Sequence, residues 1–148
     1  MTKPLVSIIT PCYNGEAFLK RYFESILNQT YPNLELIFIN DGSTDRTEEI
    51  ALSYRERLEK RGITYIYEKQ ENAGQAAALN RGLKLFTGEY LTWPDSDDVM
   101  VSDAVEKKVD YLEQHPDYGF CICKTKVVNE NNCLLYTSPS PRDRTRSR

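Results

Sequence analysis

Leu34-Glu35-Leu36-Ile37-Phe38-Ile39-Asn40-Asp41-Gly42 is a near-continuous apolar run closed by a polar turn, and it reads as a strand buried on both faces. A second such run, Leu5-Val6-Ser7-Ile8-Ile9-Thr10, precedes it and is ended by Pro11. Between them Leu19, Tyr22, Phe23, Ile26 and Leu27 recur at spacings of three and four, an amphipathic helix. Downstream, Asp45 and Glu48 offer a capping pair for a helix carrying Ile50, Tyr54 and Leu58 and ended by Gly62. Ile63-Thr64-Tyr65-Ile66-Tyr67 is a third strand; Ala76, Leu79, Leu83 and Phe86 mark a third helix, stopped by Gly88. Glu89-Tyr90-Leu91-Thr92-Trp93 is a fourth strand, and Ser102 caps a helix with Val105, Val109 and Leu112 on one face. That helix ends at His115-Pro116, and Phe120-Cys121-Ile122-Cys123 is a fifth strand. Repeated strand–helix units predict an α/β fold: a doubly wound, mostly parallel sheet with helices on both faces.

In such sheets ligands sit at the carboxyl ends of the strands. Four polar clusters fall there: Pro11 to Asn14, Asp41, Asn72 to Gln75, and Asp95-Ser96-Asp97-Asp98. Three carboxylates within four positions repel one another unless solvent, N–H donors or a cation offset the repulsion. Oxygen ligands of this kind suit Mg²⁺ or Mn²⁺, which keeps positions open for substrate phosphates. Taken alone, the triplet reads more readily as a solvated turn before a helix; the convergence of four loops on one edge favours the metal.

The last sixteen residues, Cys133 to Arg148, break from the preceding composition and lack periodicity. They look like translated sequencing-adaptor read-through, a non-native disordered tail, and the domain is taken as residues 1–132. Setting aside the tail's four arginines and Asp143 leaves 15 basic against 21 acidic residues, a net charge of −6. An acidic domain is a poor partner for bare nucleic acid, and it would hold a phosphorylated ligand through a metal or backbone donors. No apolar stretch approaches the roughly 20 residues of a membrane span, and the first residues lack the apolar h-region of a signal peptide. The expectation is a cytoplasmic chain, with membrane association open for a full-length protein. Cysteine spacing matches no metal motif, and reduced thiols are expected.

Four motifs in order carry a resemblance. They are Val6-Ser7-Ile8-Ile9-Thr10-Pro11-Cys12-Tyr13-Asn14, Asn40-Asp41-Gly42-Ser43-Thr44-Asp45, Asn72-Ala73-Gly74-Gln75 running on to Gly82, and Gly88-Glu89-Tyr90-Leu91 with Asp95-Ser96-Asp97-Asp98. Over residues 5 to about 100 the chain resembles the family-2 glycosyltransferases of the GT-A fold. The resemblance implies an enzyme that moves a sugar from a nucleotide donor, usually UDP-linked, to a glycan, lipid or protein acceptor. It implies inversion at the anomeric carbon and a place in polysaccharide or cell-surface glycan synthesis. Asp97 matches the family's metal ligand in its DxD motif, with Asp95 and Asp98 in support. Pro11 and Tyr13 resemble the nucleotide-contacting loop, and Asn14 and Glu16 are further donor-binding candidates beside them.

The chemistry of the residue types agrees. A carboxylate at Asp41 can accept the imide N–H of uracil, and Gly42 lets the base approach the backbone, although Asp-Gly is also a common turn. Asn72 and Gln75 can reach donor hydroxyls or phosphate, or Asn72 can cap the helix that follows. Displacement with inversion also needs a general base for the acceptor hydroxyl, and residues 101–132 offer no corresponding segment. The expectation is a C-terminally truncated domain that holds donor without transferring it.

Rival functions lack their motifs. A sugar nucleotidyltransferase would open with a Gly-rich basic loop where Pro11-Cys12-Tyr13-Asn14 stands, and a dinucleotide dehydrogenase would carry Gly-x-Gly-x-x-Gly there. A phospho-receiver domain would place acids after the first strand. A non-catalytic nucleotide-sugar binding module stays as the alternative.

Overall fold

Every residue of the run at 34–41 is buried, and it forms strand β2 (Leu34–Asp41) in a computed structural model that describes residues 3–129 and 133–137. Beside it lie β1 (Val6–Cys12) and β3 (Thr64–Gln70), and β4 (Tyr90–Thr92) flanks β1 on the other side. The four strands are all parallel, in the order β3-β2-β1-β4. Side chains alternate between two apolar layers, as the period of two requires. Ile8, Leu36 and Phe38 join α1 (Glu16–Leu27), α2 (Thr47–Ser53), α3 (Arg55–Arg61) and the buried Val105 and Val109 of α5 (Ala104–Gln114). Ile9, Ile37 and Ile39 face Ala78 of α4 (Gln75–Gly82). Helices therefore cover both faces, and the doubly wound α/β reading holds.

Several boundaries move. β1 continues through Pro11 to Cys12, where the sequence suggested a stop. β4 pairs only with Val6–Ile8, so from Ile9 onward β1 is an edge on that side and tolerates a residue without an N–H. The single helix expected after Asp45 is two, broken at Tyr54, whose ring stacks on Phe23 at 4.7 Å. Gly62 ends α3 at φ +87°, with its N–H on the Glu59 carbonyl and that of Ile63 on Leu58.

The third helix stops at Gly82 rather than Gly88, and Leu83 and Phe86 are each 38% exposed. Its buried positions are Ala78 and Gly82, because α4 lies so close to the sheet that a Cβ on Gly82 would collide with Ile9. Apolar periodicity missed this contact because small residues make it.

The chain divides into two compact units, Met1–Asp110 and Tyr111–Arg148. In the second, Phe120–Cys123 is not a strand; β5 is Lys126–Val128, paired antiparallel with β6 (Leu134–Thr137). Leu134–Thr137, within the stretch read from sequence as a tail, thus pair as a strand. The rest of the tail, 138–148, lies outside the described residues. Among the described residues no helix is long and apolar enough to cross a membrane.

Candidate functional site

The chain winds outward from β1 through β2 to β3, then returns to place β4 on the opposite side of β1. That reversal opens a crevice beyond the carboxyl ends of the strands. A cavity of about 350 Å³ occupies it. Pro11, Tyr13 and Asn14 line one wall, Asp41 and Gln75 another, and Asp95 and Asp97 a third. Seven of the ten residues named from sequence thus meet in one place. Asp98, Glu16 and Asn72 are not among the lining residues.

Asp41 closes β2 at 3% exposure, and three donors hold its carboxylate: the Gln70 side-chain amide at 2.7 Å, the Ala73 N–H at 2.9 Å and the Gly74 N–H at 2.9 Å. Burial alone would push its pKa up; the donors from Ala73, Gln70 and Gly74 outweigh that and hold it below the ordinary carboxylate value. Asp41 is therefore an ionised, acceptor-only group at the wall of the cavity. Gly42 lies beside it at φ +73°, and a Cβ there would come within 2.6 Å of the Asn72 backbone nitrogen. The third loop packs directly on the Asp41-Gly42 turn. Gly74, not Asn72, stands at the start of α4, so the capping alternative for Asn72 fails.

At the other end of the cavity Gln75 donates its amide to Asp95 Oδ1 at 2.7 Å, tying the third loop to the fourth. Asp97 faces the same cavity, while the Asp98 N–H closes a turn onto the Asp95 carbonyl at 3.1 Å. Loss of solvent around its carboxyl, and then the charges of Asp97 and Asp95, raise the pKa of Asp98. Among the described residues no three His, Cys, Asp or Glu side chains gather closely enough to hold a metal ion. Gln75, the first residue of α4, holds Asp95 through that bond.

Asn14 and Glu16 act between loops. Asn14 takes φ +51°; its N–H donates to Ser43 Oγ at 3.0 Å and its Oδ1 accepts the Thr44 N–H at 2.9 Å. Glu16 accepts the Arg46 N–H at 2.9 Å, and its own N–H donates to Asp45 at 3.0 Å. Glu48, expected to help cap a helix, pairs with Lys69 instead. Sequence reasoning did not single out Phe18, half exposed at the cavity wall, or the buried Cys12. Burial pushes the Cys12 thiol up in pKa against hydrogen bonds with Ser96 and Thr47, so it is a packing group. Phe18 sits on the exposed face of an amphipathic helix, where a pattern of buried positions cannot find it.

Comparison with known proteins bears on the family. Over 134 residues the chain is 39% identical to an uncharacterized glycosyltransferase of Rickettsia typhi, covering 90% of this chain and 40% of that protein. Over 127 residues it is 42% identical to an uncharacterized glycosyltransferase of Haemophilus influenzae, covering 82% of this chain and 50% of that one. The chain thus spans half or less of these relatives. Among solved structures it is similar to S. aureus TarS in complex with UDP, with a TM-score of 0.69 and 26% identity over 76% of this chain and 33% of that one. It is also similar to the mannosyltransferase PcManGT of Pyrobaculum calidifontis in complex with GDP-Man and Mn²⁺, at a TM-score of 0.68 and 30% identity, again over 76% of this chain and 33% of that one. The model of the family described as Glycosyl transferase family 2 matches residues 7–140, and the chain belongs to that family.

Proposed function

We propose that this chain is the donor-binding part of a metal-dependent, inverting glycosyltransferase that uses a UDP-sugar. The observation that carries the reading is the polarity of the cavity: an ionised Asp41 at one wall, Asp95 and Asp97 at another, and no lysine or arginine among the lining residues. Asp41 accepts the uracil imide N–H, and Tyr13, 54% exposed, offers an aromatic face in the same cavity. A donor diphosphate would meet carboxylates directly, so it needs a cation to join them.

The acid pair fits such a cation. Mg²⁺ and ions like it are commonly held by one or two carboxylates plus substrate phosphates, so Asp97 and Asp95 suffice without a third ligand. Bound there, the cation would supply Lewis-acid stabilisation of the departing nucleotide diphosphate. Gln75 holds Asp95 in place for that role. The base that deprotonates an acceptor is assigned to the whole protein, of which this chain spans a part.

Calorimetry with UDP, GDP and CDP, each in Mn²⁺ and in chelator, tests the proposal. UDP in Mn²⁺ should bind tightest. Equal UDP affinity in chelator and Mn²⁺ removes the metal; tightest binding by GDP moves the donor to a purine nucleotide.

A further inference from the structure

Asp41 and Gln70 are register partners at the carboxyl ends of β2 and β3, so their side chains leave the same face of the sheet. Their hydrogen bond is thereby set by the sheet and not by a mobile loop. Oδ1 of Asp41 receives two donors, Gln70 Nε2 and the Ala73 N–H, while Oδ2 receives one, the Gly74 N–H. A carboxylate oxygen has two lone pairs. Oδ1 is saturated, and Oδ2 alone retains an acceptor position. Gln70 itself does not line the cavity.

We infer that Gln70 is a positioning residue for base selection: by occupying Oδ1 it leaves a single acceptor on Asp41, which matches one imide N–H. This rests on the reading of Asp41 as the uracil-binding group and deepens it. Uracil offers an N–H at its ring nitrogen, whereas cytosine offers an acceptor there and an amino donor beside it. With one fixed acceptor the carboxylate meets uracil's N–H and repels cytosine's ring nitrogen. Without the Gln70 donor, Oδ1 keeps only the Ala73 N–H and regains an acceptor position, which can take the cytosine amino group. The Gln70 donor also helps keep Asp41 ionised, which an acceptor-only role demands.

The test measures the ratio of UDP to CDP affinity, in Mn²⁺, for the parent chain, Gln70→Met and Gln70→Glu, with far-UV circular dichroism to confirm the fold. Methionine preserves length without a donor, and should narrow the parent's preference for UDP about tenfold, or about 1.4 kcal/mol. Glutamate sets a second carboxylate against Asp41, which favours a shared proton and should erase or invert the preference. A parent that prefers UDP while both variants keep its ratio overturns the role of Gln70 and leaves Asp41 standing. A parent that binds the two nucleotides equally overturns the reading of Asp41 and this inference with it. A folded variant that loses affinity for both nucleotides in proportion shows a purely structural glutamine and also overturns the inference.

Discussion

Glu16 and Asp45 cap each other's helices. The Glu16 N–H, at the start of α1, donates to Asp45 Oδ2 at 3.0 Å, and Glu16 Oε2 accepts the N–H of Arg46, at the start of α2, at 2.9 Å. Asp45 Oδ1 also takes the Thr47 N–H at 2.9 Å. Each carboxylate thus lies at the positive end of the other's helix, where charge and hydrogen bonding both favour it. The pair links the loop after β1, which carries Tyr13, to the loop that follows Asp41 at the end of β2.

Because the caps are reciprocal, Glu16→Ala and Asp45→Ala should each cost about 1 kcal/mol, the usual scale for a lost cap. The double variant should cost less than their sum, since loss of either bond already loosens the pair of loops that the other bond ties. Urea denaturation of the four chains checks this, and strict additivity would show two independent caps.

Acid should destabilise the fold through named groups. Burial would raise Asp45, but bonds from Thr47 and the Glu16 N–H hold it below the ordinary value, and Asp41 is lowered in the same way. Arg57 chiefly lowers Glu24, and Lys3 chiefly lowers Glu106. A folded-state pKa depressed below the unfolded value gives stability that is present above the unfolded value and lost as pH falls through the folded one. Stability should therefore decline below pH 4.5 and continue to fall below 3.8, the ordinary Glu and Asp values. Asp98 works the other way, its raised pKa favouring the fold only at low pH. Denaturation midpoints against pH at low and high salt separate the causes. Salt should shrink the part from the exposed ion pairs of Glu24 and Glu106 and spare that of Asp41 and Asp45.

Within the acidic loop, Asp97 lines the cavity and Asp98 does not. Asp97→Ala should abolish the gain in UDP affinity that Mn²⁺ provides, whereas Asp98→Ala should keep most of it. Calorimetry of both variants with and without Mn²⁺ decides the matter; equal losses would return Asp98 to the ligand set.

The order of strands and helices was legible in the sequence because it is written in local pattern. Ile37, Phe38 and Ile39 are buried on both faces, and Leu19, Tyr22, Phe23 and Ile26 recur at helical spacing. The motif loops were legible too, since the carboxyl ends of parallel strands lie on one edge whatever the details of packing. What the tertiary structure decided is which side chains face the cavity and which serve one another. Nothing local distinguishes Asp97, at the cavity wall, from Asp98, in the turn beside it. Glu16 sits among the motif residues in sequence, and only the fold shows the N–H of Arg46, thirty positions away, on its carboxylate. Gln70 carries no motif, and its role exists only because the β2–β3 register sets it opposite Asp41. Periodicity records which residues leave water; the partner of a polar group depends on which segments the fold brings within hydrogen-bond reach.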